Sequence, residues 1–131
     1  MKTKIHKTNA ARHLDELGIS YELIPYEVDE ENLSAAHVAQ TLGQNLDQVY
    51  KTLVLRGDKT GFFVCVIPGG AELDMKAAAR ASGNKSCEML HVKELVPVTG
   101  YMRGGCSPLG MKKAFPTFIH EDCILWDYIF V

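Results

Sequence analysis

Two strand-like apolar segments stand in the middle of the chain, VYKTLVLRG (49–57) and GFFVCVIPG (61–69), separated by DKT. This arrangement predicts a β-hairpin. The first arm contains one discordant letter. Side chains two apart in a strand share a face, so Lys51 projects with Val49, Leu53 and Leu55, whereas Tyr50, Thr52 and Val54 project to the other side. An unpaired ammonium buried there would cost several kcal/mol, so Lys51 must reach water, a partner or a polar cavity. The second arm holds six consecutive apolar residues, Phe62 to Ile67, a run that belongs in a strand covered on both faces.

Helical patterns flank this centre. Ala11, Leu14 and Leu17 form a stripe with Thr8 or Asn9 as cap and Gly18 as stop, which predicts a helix over 8–17. YELIPYEVD (21–29) reads as a strand that Pro25 pushes toward a sheet edge. Ser34 as cap, Val38 and Leu42 as inward positions and Gly43 as terminator predict a second helix, and a shorter helical turn is expected over 46–48. LDMKAAARA (73–81), closed by Gly83, is rich in helix formers, and 91–95 reads as another short helix. Residues 100–110, with four glycines and Pro108, read as a loop; PTFIHE (116–121) and ILWDYIFV (124–131) read as strands. Helices and strands mix, yet the hairpin is antiparallel. The expected fold is therefore α+β: a curved, mixed, largely antiparallel and barrel-like sheet flanked by short helices. No repeat or linker divides the chain, so one domain over 1–131 is expected. Ile129, Phe130 and Val131 stand in mid-strand, where natural termini are usually polar and frayed, so the expectation is that this domain lacks a C-terminal segment.

With 131 residues, 47% of them hydrophobic and 23% charged, the chain can enclose a core without staples. Lys2, Lys4 and Lys7 are not followed by an apolar run, and no apolar stretch approaches the ~20 residues that span a bilayer. A cytoplasmic protein without membrane contact is expected. Cys65, Cys87, Cys106 and Cys123 are scattered without a C-x-x-C pair, which fits reduced thiols. The five histidines show no ligand spacing, and neither a metal nor another cofactor is expected. A formal net charge of −2 argues against a general DNA or nucleic-acid binder. Arg103, Lys112 and Lys113 flank the glycine-rich stretch and read either as contacts to a phosphate or two or as a solvated face.

That stretch, TGYMRGGCSPLGMKK (99–113), is the most unusual in the chain. Its glycines and Pro108 fit a stiff cradle whose amides face a bound oxygen; they fit equally a tight connection in which Gly104, Gly105 and Gly110 only supply positive φ angles. Cys106 and Ser107 lack the surroundings of an activated nucleophile, since GGCSPLG is not a G-x-S-x-G elbow. Taken alone, Lys51 reads as a strand-end side chain that snorkels to water or as a catalytic cation, and Tyr26 and Thr52 read as half-buried strand residues.

VYKTLVLRG, PGGAELDMKAAARA, KSCEML, TGYMRGGCSPLGMKK and PTFIHE, in this order, strongly resemble the YbaK/EbsC family, free-standing relatives of the editing insertion domain of bacterial prolyl-tRNA synthetase. The resemblance spans nearly the whole chain. It implies a trans-editing deacylase that clears mischarged tRNA, typically cysteine esterified to proline tRNA. It makes Lys51 the central site residue, with Thr52 lining the same pocket. Tyr26 and the loop of Gly104, Gly105, Cys106, Ser107 and Pro108 complete the substrate-binding set. In the family the chain continues into a strand, a glycine-rich turn and a helix that supply further serine and aspartate residues. The implied partners are the 3′ end of an aminoacyl-tRNA and prolyl-tRNA synthetase. A deacylase for alanine or serine esters, a pocket that binds aminoacyl-adenosine without turnover, and a subunit that only docks on a partner are the other readings.

Overall fold

The hairpin forms the centre of the molecule because its two arms can be covered on both faces. The computed structural model describes residues 9–23, 45–101 and 107–131. Helix α1 (Asn9–Glu16) is followed by a 3-10 turn (Leu46–Gln48), strands β1 (Tyr50–Gly57) and β2 (Gly61–Pro68) and helix α2 (Met75–Ser82). Strand β3 (Cys87–Met89), helix α3 (Val92–Thr99), strand β4 (Thr117–Ile119) and a second 3-10 turn (Glu121–Leu125) complete the order. Of the strand expected over 21–29, residues 21–23 are described and form no strand; 24–29, the helix opened by Ser34 and the Thr8 cap lie outside the described residues.

The strands lie in the order β3-β1-β2-β4, with β1 antiparallel to both β2 and β3, and β4 parallel to β2. The α+β class and the mixed, largely antiparallel sheet agree with expectation. Among the described residues the sheet is open, not closed into a barrel. KSCEML contributes β3, too short for alternation to show. Two local expectations need correction. The strand expected over 124–131 shrinks to one parallel bridge between Phe130 and Val49, because Glu121–Leu125 winds into the 3-10 turn. The helix expected over 91–95 runs to Thr99 through Pro97. The Thr99 hydroxyl donates to the Leu95 carbonyl at 2.7 Å and Gly100 N–H donates to the Val96 carbonyl at 2.8 Å, which holds the turn together around the missing proline N–H.

Alternation divides the core in two. Tyr50 and Val54 of β1 and Val64 and Val66 of β2 form one cluster, covered by Leu90, Leu95, Met111, Phe115, Cys123 and Ile129. On the opposite face Leu55, Phe63 and Cys65 meet Ala78 of α2, with Leu53, Leu73, Met75, Cys87 and Phe118 packed around them. Small residues let the helix approach closely, so Ala78 and Ala79 are both buried. Burying a side chain such as Phe63 or Leu55 stabilises by roughly 1.5–3 kcal/mol, so the run from Phe62 to Ile67 anchors both layers. Asp74 caps α2 by accepting from Ala77 N–H at 3.1 Å, and Gly83 ends it at φ 81°.

The hairpin tip is tied to the segment after α2. Buried Asn84 accepts from Lys59 N–H at 2.9 Å and Thr60 N–H at 3.0 Å, and donates to the Thr60 hydroxyl at 2.9 Å and the Ser82 hydroxyl at 2.8 Å. Asp58 accepts from Lys85 N–H at 2.9 Å and Ser86 N–H at 3.2 Å, which holds its carboxyl below the usual range.

Cys65, Cys87 and Cys123 are free thiols. Burial pushes Cys65 up to about 11, with Cys87 adding to the effect. A thiol that is harder to ionise in the fold than in the unfolded chain stabilises fully below the unfolded pKa, and that contribution is lost as pH rises toward the folded one. Urea unfolding is therefore expected to show stability falling between about pH 9 and 11 by about 2–3 kcal/mol more in the parent than in Cys65→Val. Equal pH profiles would refute this.

Candidate active site

Lys51 is the second residue of β1, half-buried and paired across the hairpin with buried Ile67. It shares the α2-covered face with Leu53 and Leu55. Among the described residues no carboxylate lies within ion-pair distance of it and no hydrogen bond occupies its ammonium, in contrast to Arg56 five residues on, which meets Glu94 at 3.2 Å and Glu88 at 3.8 Å. A cation left without a counter-charge at the edge of an apolar surface is available to a ligand oxygen or phosphate.

Thr52 leaves the opposite face, paired with buried Val66. The sheet thus does not bring the Lys51 and Thr52 side chains together; a pocket shared by them would have to wrap the end of β1. The backbone near them offers more polarity. Even-numbered residues of β1 direct their amides to the edge away from β2, as Tyr50 N–H does to the Phe130 carbonyl at 2.8 Å and the Val54 carbonyl does to Leu90 N–H at 2.9 Å. Thr52 lies between these two contacts, and among the described residues nothing pairs with its N–H and C=O on that edge.

The part of the glycine-rich loop that is described, 107–110, stands on the Thr52 side, since the Met111 that follows it packs on the Tyr50 cluster. Its path is set by local bonds. The Tyr101 hydroxyl donates to the Leu109 carbonyl at 2.6 Å, Leu109 N–H donates to the Ser107 hydroxyl at 3.2 Å, and Lys112 N–H donates to the Thr99 carbonyl at 3.1 Å. Gly110, at φ 68°, abuts the Asn9 and Ala10 backbone, where a Cβ would overlap it. Ser107 is half-buried and serves the turn, and Pro108 is half-buried beside it. Tyr26, Arg103, Gly104, Gly105 and Cys106 lie outside the described residues.

One polar group near Lys51 escaped sequence reasoning. Tyr50 is 4% exposed and its hydroxyl has no hydrogen-bond partner among the described residues. Burial, then the proximity of Cys123, Asp122 and Asp47, raises its phenol above the ordinary value. Period-two patterning assigns Tyr50 to the core but says nothing of where its oxygen ends. Because an unpaired buried hydroxyl costs about 1–3 kcal/mol, Tyr50→Phe is expected to unfold at equal or higher denaturant than the parent. A clear loss of stability would show that the hydroxyl has a partner in solution.

Among the described residues, β1 thus carries a half-buried lysine without a counter-charge on one face, and on the other face Thr52 and the described end of the glycine-rich loop. The chain belongs to the aminoacyl-tRNA editing domain family, whose model matches residues 29–124. It is 50% identical over 125 residues to EbsC of Enterococcus faecalis (strain ATCC 700802 / V583), described as a candidate Cys-tRNA(Pro)/Cys-tRNA(Cys) deacylase, which covers 95% of this chain and 76% of that protein. The crystal structure of a candidate trans-editing enzyme for prolyl tRNA synthetase superposes with a TM-score of 0.77 at 26% identity, over 95% of this chain and 80% of that one. The crystal structure of hypothetical protein APE2540 has the same fold, with a TM-score of 0.83 at 20% identity over 93% of this chain and 79% of that one.

Proposed function

We propose that the protein is a trans-editing deacylase that hydrolyses mischarged aminoacyl-tRNA in the cytoplasm, with cysteine on proline tRNA as the preferred substrate. The observation that carries this reading is the ammonium of Lys51, which no carboxylate among the described residues compensates and which stands in the family's lysine-threonine strand. An aminoacyl ester is already activated, so the site needs to orient it and stabilise charge, not supply a strong nucleophile. Lys51 would polarise the ester carbonyl or hold the terminal phosphate, and backbone amides of Gly104 to Ser107 would hold the developing oxyanion or the terminal adenosine. Tyr26, Gly104, Gly105, Cys106 and Thr52 complete the proposed substrate-binding set.

For a cysteinyl ester the substrate's own thiol sulfur adds to its carbonyl carbon, the bond to the ribose oxygen breaks, and that oxygen takes up the thiol proton. Water then opens the cyclic thioester. Selectivity in this scheme follows from the thiol, because alanine and serine esters lack it. Prolyl-tRNA synthetase is the proposed partner that supplies tRNA choice. The test is to incubate the protein with cysteinyl and alanyl proline tRNA and follow the acid-precipitable amino acid. Faster loss of cysteine than alanine supports the reading, and loss of neither overturns it.

A further inference from the structure

The proposed function leaves open how a chain with a net charge of −2 holds a polyanion. Its cations are not evenly spread. Helix α2 carries Lys76 and Arg80 four residues apart, hence on one face, with no acidic residue between Met75 and Ser82. Lys85 follows the Gly83 stop, and the Asn84 and Asp58 bonds hold Lys59 of the hairpin tip against this same end of the helix. All four side chains are exposed, and among the described residues no ion pair occupies any of them. Asp58 beside the hairpin tip is engaged by two backbone N–H groups, and Asp74, two residues before Lys76, caps the N-terminal end of the helix.

From these placements we infer that Lys59, Lys76, Arg80 and Lys85 form a docking surface for the phosphodiester backbone of the RNA substrate, away from its reactive end. This rests on the proposed function for the identity of the RNA. The position suits it. α2 covers the same face of the sheet from which Lys51 projects, and the hairpin tip lies six residues farther along β1, ~20 Å at a strand's rise. A stacked strand advances about 3.4 Å per phosphate, so a 3′ end at Lys51 brings phosphates roughly six nucleotides inward to this surface. Lys112 and Lys113, by contrast, follow the loop on the other face of the sheet.

The test is binding of an unacylated proline tRNA transcript at several salt concentrations, by fluorescence anisotropy. Lys76→Ala/Arg80→Ala is expected to weaken binding several-fold at low salt and to lower the slope of log K against log[salt] by about 2, one per lost phosphate contact. Lys112→Ala/Lys113→Ala is expected to leave the slope in place. An unchanged slope in the first pair, or an equal loss in both, overturns the inference. The failure of the proposed function reads out separately: a protein that hydrolyses neither ester but loses salt-dependent binding with Lys76 and Arg80 keeps the docking surface and loses the deacylase. If it does hydrolyse, the same pair raises KM for aminoacyl-tRNA several-fold and leaves turnover of cysteinyl-adenosine alone.

Discussion

Lys51→Ala is expected to slow deacylation of cysteinyl proline tRNA by roughly 10²- to 10³-fold, about 3–4 kcal/mol of barrier, which is the usual loss when one preorganised charge contact is removed. Stability should move little. The side chain is half-buried and makes no ion pair or hydrogen bond among the described residues, so its removal deletes no buried partner and strands no opposite charge there. Circular dichroism and urea unfolding would therefore match the parent to within about 1 kcal/mol while turnover collapses. Lys51→Met separates the two components of the side chain, because it keeps the apolar stem on the Ile67 face and deletes only the charge. Both variants should fail alike. If Lys51→Met turns over as fast as the parent, the cation has no part in the reaction and the stem alone explains the residue.

The largest expected effect on stability belongs to Gly57→Ala. Gly57 is buried at the end of β1, and a Cβ there would fall inside the side-chain amide of Asn84. That amide cannot give way cheaply, since it carries four hydrogen bonds that join the hairpin tip to the residues after α2. Overpacking and the loss of part of this network together should cost about 3–5 kcal/mol, seen as a fall in Tm of roughly 10–15 °C. Asn84→Ala alone also destabilises, but in the Gly57→Ala background it relieves the overlap, so the double variant should be far more stable than the sum of the two losses. Strict additivity would mean that the clash does not exist in solution.

The resemblance and the physical reading of the chain meet at Lys51 from different directions. Patterning identified it as the letter that does not belong in an apolar face, and the structure leaves that letter without a counter-charge. Thr52 shows the limit of a motif. Adjacent letters read as one unit, yet a strand sends them to opposite faces, and here the described end of the glycine-rich loop stands with Thr52.

Local periodicity and turn chemistry were enough to read the hairpin, its three-residue turn, the helix closed by Gly83 and the apolar run through β2, because each depends on contacts between residues a few positions apart. The 46–48 turn was legible for the same reason. β3 and β4 were harder: three-residue strands carry too few alternations to be told from loop, and their existence depends on an open edge of β1 or β2 being there to pair with. The fate of ILWDYIFV was likewise decided at a distance, where one bridge to Val49 and a 3-10 turn replaced a continuous strand. What the amino-acid order determined by itself was therefore the identity of the odd cation and the elements that hold it. Only tertiary structure decided that, among the described residues, Arg56 is neutralised and Lys51 is not, that the Tyr50 oxygen has no partner among them, and that the hairpin tip with Lys59 is tied to the segment that follows the helix bearing Lys76 and Arg80, because charge compensation and burial depend on neighbours that chain order does not specify.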